Sequence, residues 1–192
     1  MDLKQIVLEQ LSGAVKDKIA AKTGIESSKT DDAVGTAVDA ILGGLQGNVK
    51  TEKGAQKLDQ ALGKGHDGSL LEDLSSAVGS GDVAADGAKI LGHIFGKKNA
   101  DSVAEKAAEQ AGTSSSQMGD LMSILAPIVM SQLGKSKASE GLDAGGIADK
   151  ILRQKLPDNQ MTNIITQLID RDKDGQIIDD LLSIGQDLFK KK

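Results

Sequence analysis

The chain has 192 residues, with 23 Lys and Arg against 28 Asp and Glu, 23 Gly, two Phe, and no Cys, Trp or Tyr. Without Cys there is no disulfide, thiolate nucleophile, zinc ribbon or iron–sulfur cluster, and His66 and His93 alone cannot make a multi-histidine metal site within one chain. A net charge of −5 and the lack of aromatic stacking platforms argue against nucleic-acid binding.

Leu, Ile, Val and Phe make up a quarter of the chain. That lies above the roughly 20% below which disorder is the rule, so a core is expected and it must be aliphatic. The first residues, MDLKQIVLEQ, carry no basic segment before an apolar one and no small-residue cleavage site, so no secretory signal is read there. The longest apolar run, 121–133, is interrupted by Ser123, Pro127, Ser131 and Gln132. It falls short of the roughly 20 residues that a membrane span needs. The expectation is a soluble, cytoplasmic chain with no membrane span.

Apolar residues recur three and four apart along the chain, which is helical periodicity. Leu3, Ile6, Val7 and Leu11 make the first stripe. Gly24 follows an Ala/Lys-rich segment as a helix-terminating glycine would, and Ser27–Ser28 suit the next N-cap. Val34, Val38, Ile41, Leu42 and Leu45 form the second stripe. Residues 79–87, GSGDVAADG, read as a loop. Val103, Ala107, Ala108 and Ala111 form a third stripe, closed by Gly112 and followed by the hydroxyls of Thr113–Ser116. Pro127 sits inside an apolar helical stretch that it is expected to kink or divide. Residues 134–146, GKSKASEGLDAGG, read as a second loop. Ile147, Ile151 and Leu152 begin another helix. Asp158 or Asn159 can cap a last one carrying Ile164, Ile165, Leu168 and Ile169.

The segments repeat. At a constant offset of 88, Gly24 meets Gly112, Ser27 and Ser28 meet Ser115 and Ser116, Asp32 meets Asp120, Ile41 meets Val129 and Leu45 meets Leu133. Upstream, LEQLSG (8–13) resembles LGHIFG (91–96). Downstream, HDGSLLEDLSS (66–76) resembles KDGQIIDDLLS (173–183). Three blocks in the same order predict an all-α, multi-helix bundle built from two similar helical repeats, 1–88 and 89–192. Each half is small for an independent core, so the two are expected to pack together as one body.

One segment carries a metal-binding pattern. Asp170, Asp172 and Asp174 alternate before Gly175, the D-x-D-x-D-G opening of a calcium loop. Alternating carboxylates suit a hard cation that needs several oxygens, and the Gln176 carbonyl takes the next ligand position. The twelfth position, which supplies a bidentate Glu in such loops, is Leu181, so Asp179 or Asp180 would have to close the site. The same residues also suit a turn in which Asp caps the following helix and Gly supplies positive φ. Asp67-Gly68 in the first repeat has that form, without most of the ligands. Calcium is therefore the one cofactor considered.

No other segment carries chemistry at motif spacing. His66 reads as a loop residue and His93 as a helix-face residue. Gly141, Gly145 and Gly146 lack the strand and the Gly-Lys-Ser/Thr ending of a phosphate loop. Met118, Met122, Met130 and Met161 read as core filler. The terminal Phe189-Lys-Lys-Lys192 suits a helix C-terminus.

The stretch Leu91–Lys135 resembles a bacterial family of unknown function, domain-of-unknown-function family 937, which includes YidB-like proteins. The resemblance rests on Leu-Gly-His-Ile-Phe-Gly, then Ala-Gly-Thr-Ser, Leu-Ala-Pro-Ile-Val around Pro127, and Leu-Gly-Lys. The later DRDKDGQIIDDLL also resembles acidic segments near the end of such proteins. The likeness implies a bacterial all-helical protein and brings no catalytic residue with it. The function expected is a non-enzymatic scaffold or interaction module, partnered by another protein or by itself. The alternative is calcium binding through Asp170, Asp172, Asp174, Gln176, Asp179 and Asp180.

Overall fold

The computed structural model describes residues 2–11, 13–96 and 98–157. Among these residues every regular element is helical: nine α-helices and one 3-10 turn. α1 (Leu3–Gln10) begins where the Asp2 carboxylate accepts from the Lys4 amide, and it lays Leu3, Val7 and the following Leu11 into the core. α2 (Ala14–Thr23) and α3 (Ser27–Asn48) form a hairpin about Gly24, whose φ of 68° favours glycine. α4 (Glu52–Gly65) starts at Thr51, whose hydroxyl accepts from the Gly54 amide. The 3-10 turn (Ser69–Asp73) leads into α5 (Leu74–Gly79), and Ser80 alone separates α5 from α6 (Gly81–Phe95). α7 (Ala100–Ala111) and α8 (Ser115–Glu140) form a second hairpin about Gly112, with φ 64°. α9 (Ala144–Leu152) follows.

α3 and α8 form the centre and pack on each other. α3 is also met by α1, α2, α6, α7 and α9, and α8 by α1, α2, α4, α6, α7 and the 3-10 turn. Both central helices bury most of their circumference, and one continuous aliphatic core joins all nine helices. Phe95, the one Phe among the described residues, is 1% exposed. It fits because Gly44 has no side chain: a Cβ there would collide with Ile94 and Phe95. Small residues thus take the place of large rings in filling the interior.

The two hairpins cap each other. Lys29 Nζ donates to the Gly112 carbonyl at 3.3 Å. Gln117 Nε2 donates to the Gly24 carbonyl at 2.5 Å. In the same sense, the Gly24 amide donates to the Ala20 carbonyl and the Gly112 amide to the Ala108 carbonyl. α8 also begins with a reciprocal capping box, in which Ser114 and Gln117 each accept from the other's amide.

Three local expectations are corrected. Pro127 does not divide α8, which runs on as one helix. Proline removes the donor that would reach the carbonyl four residues back, Ser123. Gly87 of α6 lies directly over that carbonyl, close enough that a Cβ would fall on its oxygen. The freed acceptor is thereby covered by close backbone packing. Residues 79–87 are not a loop, because the Ser80 hydroxyl accepts from the Asp82 amide and starts α6 at once. Residues 134–146 are not one either. α8 continues to Glu140 and α9 starts at Ala144, capped by Asp143. Gly134 there is a packing glycine: a Cβ would meet the His66 carbonyl. Glycine at 87 and 134 records close helix approach rather than a flexible chain.

Candidate functional site

Two polar features stand out against the aliphatic interior. The first is a seam joining the start of α1, the middle of α3 and the end of α9. Asp39 lies between Val38 and Ala40 on α3 and is 5% exposed. Its Oδ2 accepts from Lys4 Nζ at 2.6 Å, while its Oδ1 is buried without a partner. Burial pushes the Asp39 carboxyl above the ordinary carboxylate range, and the hydrogen bond and charge of Lys4 pull back against that. Beside this pair, Gln154 Oε1 accepts from the Leu3 amide at 2.7 Å, and Gln154 Nε2 donates to the Lys150 carbonyl at 2.9 Å. Gln46 Nε2 donates to the carbonyls of Ile151 at 3.0 Å and Gln154 at 2.8 Å. These amides satisfy carbonyls that a helix C-terminus leaves open.

The second feature is an open cleft of about 440 Å³ between the 3-10 turn and the ends of α1 and α8, lined among others by Gln10, Asp67, Ser69, Glu72 and Lys135. The Ser69 amide donates to Asp67 Oδ1 at 3.0 Å and holds that carboxyl below the ordinary range. Gln10 Nε2 donates to Gln132 Oε1 at 2.9 Å and ties α1 to α8. The cleft presents two carboxylates and one ammonium to solvent, a surface suited to polar contacts.

The acidic residues Asp170, Asp172, Asp174, Gln176, Asp179 and Asp180 lie outside the described residues. Among those described, no three His, Asp or Glu side chains come together to hold a metal ion. Asp67-Gly68 forms a capping turn, with Gly68 at φ 102°. His66 ends α4, half-buried, and His93 is exposed on α6. Met118, Met122 and Met130 are in the core. The seam residues Lys4, Asp39, Gln46 and Gln154 were not singled out from sequence. The available signal was Asp39 itself, a charge set inside the apolar stripe Val34–Leu45.

Residues 5–136 match the family described as bacterial protein of unknown function (DUF937), a match that runs from within α1 to within α8. The chain belongs to this family. The match takes in both hairpins and the Lys29 and Gln117 caps, as well as Asp39, whereas α9 and Gln154 follow it. No curated protein and no solved structure matches the chain. Among the described residues no helix is long and apolar enough to cross a membrane.

Proposed function

We propose that this DUF937 member is a duplicated helical scaffold: a non-enzymatic module that presents helix surfaces to another protein or to a second copy of itself. The carrying observation is the exchange of caps between the hairpins. Lys29 and Gln117 stand 88 residues apart, as do the glycines whose carbonyls they reach, Gly112 and Gly24. Further support comes from the elements around them. α2 and α7 end 88 residues apart, α3 and α8 begin 88 residues apart, and α3 meets α6, α7 and α9 where α8 meets α1, α2 and α4. The sequence places the units at 1–88 and 89–192, but α6 runs through residue 88. We therefore set the junction at Ser80, so that α1 to α5 form one unit and α6 onward the other, packed as one body around α3 and α8.

A scaffold role in the cytoplasm is tested by photo-crosslinking from exposed positions of α4 and α7 in the native host, with cell fractionation. A stoichiometric protein adduct or a self-dimer in the cytoplasmic fraction is the expected result. Recovery of a co-purified small molecule that the protein converts would overturn it.

Calcium binding is the second reading, favoured by the alternation of Asp170, Asp172 and Asp174 before Gly175. Calorimetric titration of chelator-treated protein would show heat that Asp172→Ala abolishes. No heat with millimolar calcium would reject it.

A further inference from the structure

We propose that the basic face of α4 in one copy of this chain docks on the acidic face of α7 in a second copy. The pairing rests on the scaffold role proposed above and names one partner for it. On α4, Lys53, Lys57 and Lys64 are all exposed. Their spacing along the helix puts them in one stripe, about 16 Å long. On α7, Asp101, Glu105 and Glu109 are exposed, each one turn from the next, and make a stripe of about 12 Å. The two stripes have opposite charge, similar length and the same helical geometry.

These charges are left over from the fold. The lysines of α2 show what use within one copy looks like: Lys16 pairs with Asp31, Lys18 donates to Ser75, and Lys22 donates to the carbonyls of Val78, Gly79 and Ser80. Among the described residues, Lys53, Lys57, Lys64, Asp101 and Glu105 form no ion pair. Glu109 is met by Lys106, an exposed contact within α7 that solvent screens. The acids of α4 have other partners: Asp59 is taken by Lys137 of α8, and Glu52 accepts from Gln56.

The stripes cannot meet within one copy. α7 packs near the start of α8, where Gly119 faces Ala104. α4 packs near its end, where Lys137 reaches Asp59. Eighteen residues of α8, about 27 Å, separate the two places. That exceeds both the reach of the side chains and the roughly 8 Å over which charges act at physiological salt. A second copy removes the distance, because it brings its own acidic stripe. Like stripes repel, so the favoured contact joins α4 to α7 and not α4 to α4. Neither helix exposes a large apolar side chain. The contact is therefore electrostatic: weak, reversible and salt-dependent.

Sedimentation velocity of the full chain over a range of protein concentrations tests this. At about 20 mM salt the wild type should associate, and at about 500 mM it should sediment as a monomer. Lys53→Glu/Lys57→Glu makes both stripes net acidic, and Asp101→Lys/Glu105→Lys makes both net basic. Each variant alone should stay monomeric at low salt. Mixed one to one, they should associate as the wild type does, which also shows that both are folded. A wild type that is monomeric at low salt would overturn the proposal, whether the acidic segment 170–180 or another protein takes the α4 stripe instead. Association that either variant keeps alone, that salt does not weaken, or that mixing fails to restore would overturn it equally. If the wild type is monomeric yet still gives protein adducts from α4 or α7 in the native host, this pairing falls and the scaffold role stands.

Discussion

On the proposed duplication α1 and α6 are counterparts, yet they are held on the central helices by opposite means. When Leu8 is set on Leu91, Lys4 falls on Gly87; when Gly24 is set on Gly112, Asp39 falls on Pro127. In one half the meeting point is a lysine reaching a buried carboxylate. In the other, a glycine lies on the carbonyl of Ser123, whose helical donor Pro127 has removed. The other end of each covering helix shows the reverse assignment. Ile94 and Phe95 press on Gly44 of α3, whereas Gln10 donates to Gln132 of α8. Where glycine is present the backbones or apolar side chains close up, and where it is absent polar side chains bridge the distance. On the proposed duplication, one helical plan is closed by backbone contact in one half and by polar side chains in the other.

The largest expected effect lies at the backbone contact between Gly87 and Ser123. Gly87→Ala places a methyl group on the Ser123 carbonyl, and neither backbone can move without shifting a helix. A loss of about 3 kcal/mol is expected in chemical denaturation. The double variant Lys4→Met/Asp39→Asn, at the matching place on α1, should cost far less, because it removes the ion pair without leaving a buried charge alone. Equal losses at the two positions would show that α1 and α6 are held alike.

A second matched pair gives a smaller contrast. Gly134 and Gln46 stand 88 residues apart, and each meets the end of a helix in the opposite half: Gly134 the His66 carbonyl, Gln46 the carbonyls of Ile151 and Gln154. Gly134→Ala should cost about 2 kcal/mol by overpacking, while Gln46→Ala removes hydrogen bonds and should cost about 1 kcal/mol. Thermal unfolding of both variants checks the order, and a larger loss for Gln46→Ala would reverse the assignment of which end is closely packed.

The smallest effect is expected at the exchanged caps. Gln117→Ala loses its donation to Gly24 and its part in the capping box, for a loss of about 1 kcal/mol. Lys29→Ala loses only one exposed hydrogen bond at 3.3 Å, and about 0.5 kcal/mol is expected. Denaturant midpoints should therefore fall more for Gln117→Ala.

Much of this architecture was legible in the chain. The apolar stripes, the helix-ending Gly24 and Gly112 and the hydroxyl caps after them depend on local geometry, which residue type and spacing report directly. The glycines at 87 and 134 read as loop residues in the sequence, because their role depends on which carbonyl a distant helix brings near. That α8 continues through Pro127 is hidden for the same reason: the carbonyl the proline frees is covered by Gly87, a residue of another helix. Asp39 was overlooked because a pattern of apolar positions treats the one charge within it as an interruption. Its meaning comes from Lys4, 35 residues away. The acidic pattern at 170–180 was legible as chemistry, and its residues lie outside those the structure describes.

The central claim is that two related helical units complete each other around α3 and α8. Co-expression of fragments 1–80 and 81–192, joined by no peptide bond, tests it most directly. The predicted result is a one-to-one complex that unfolds cooperatively, with neither fragment alone showing a cooperative transition. Independent cooperative folding of each fragment, with no complex on mixing, would contradict it.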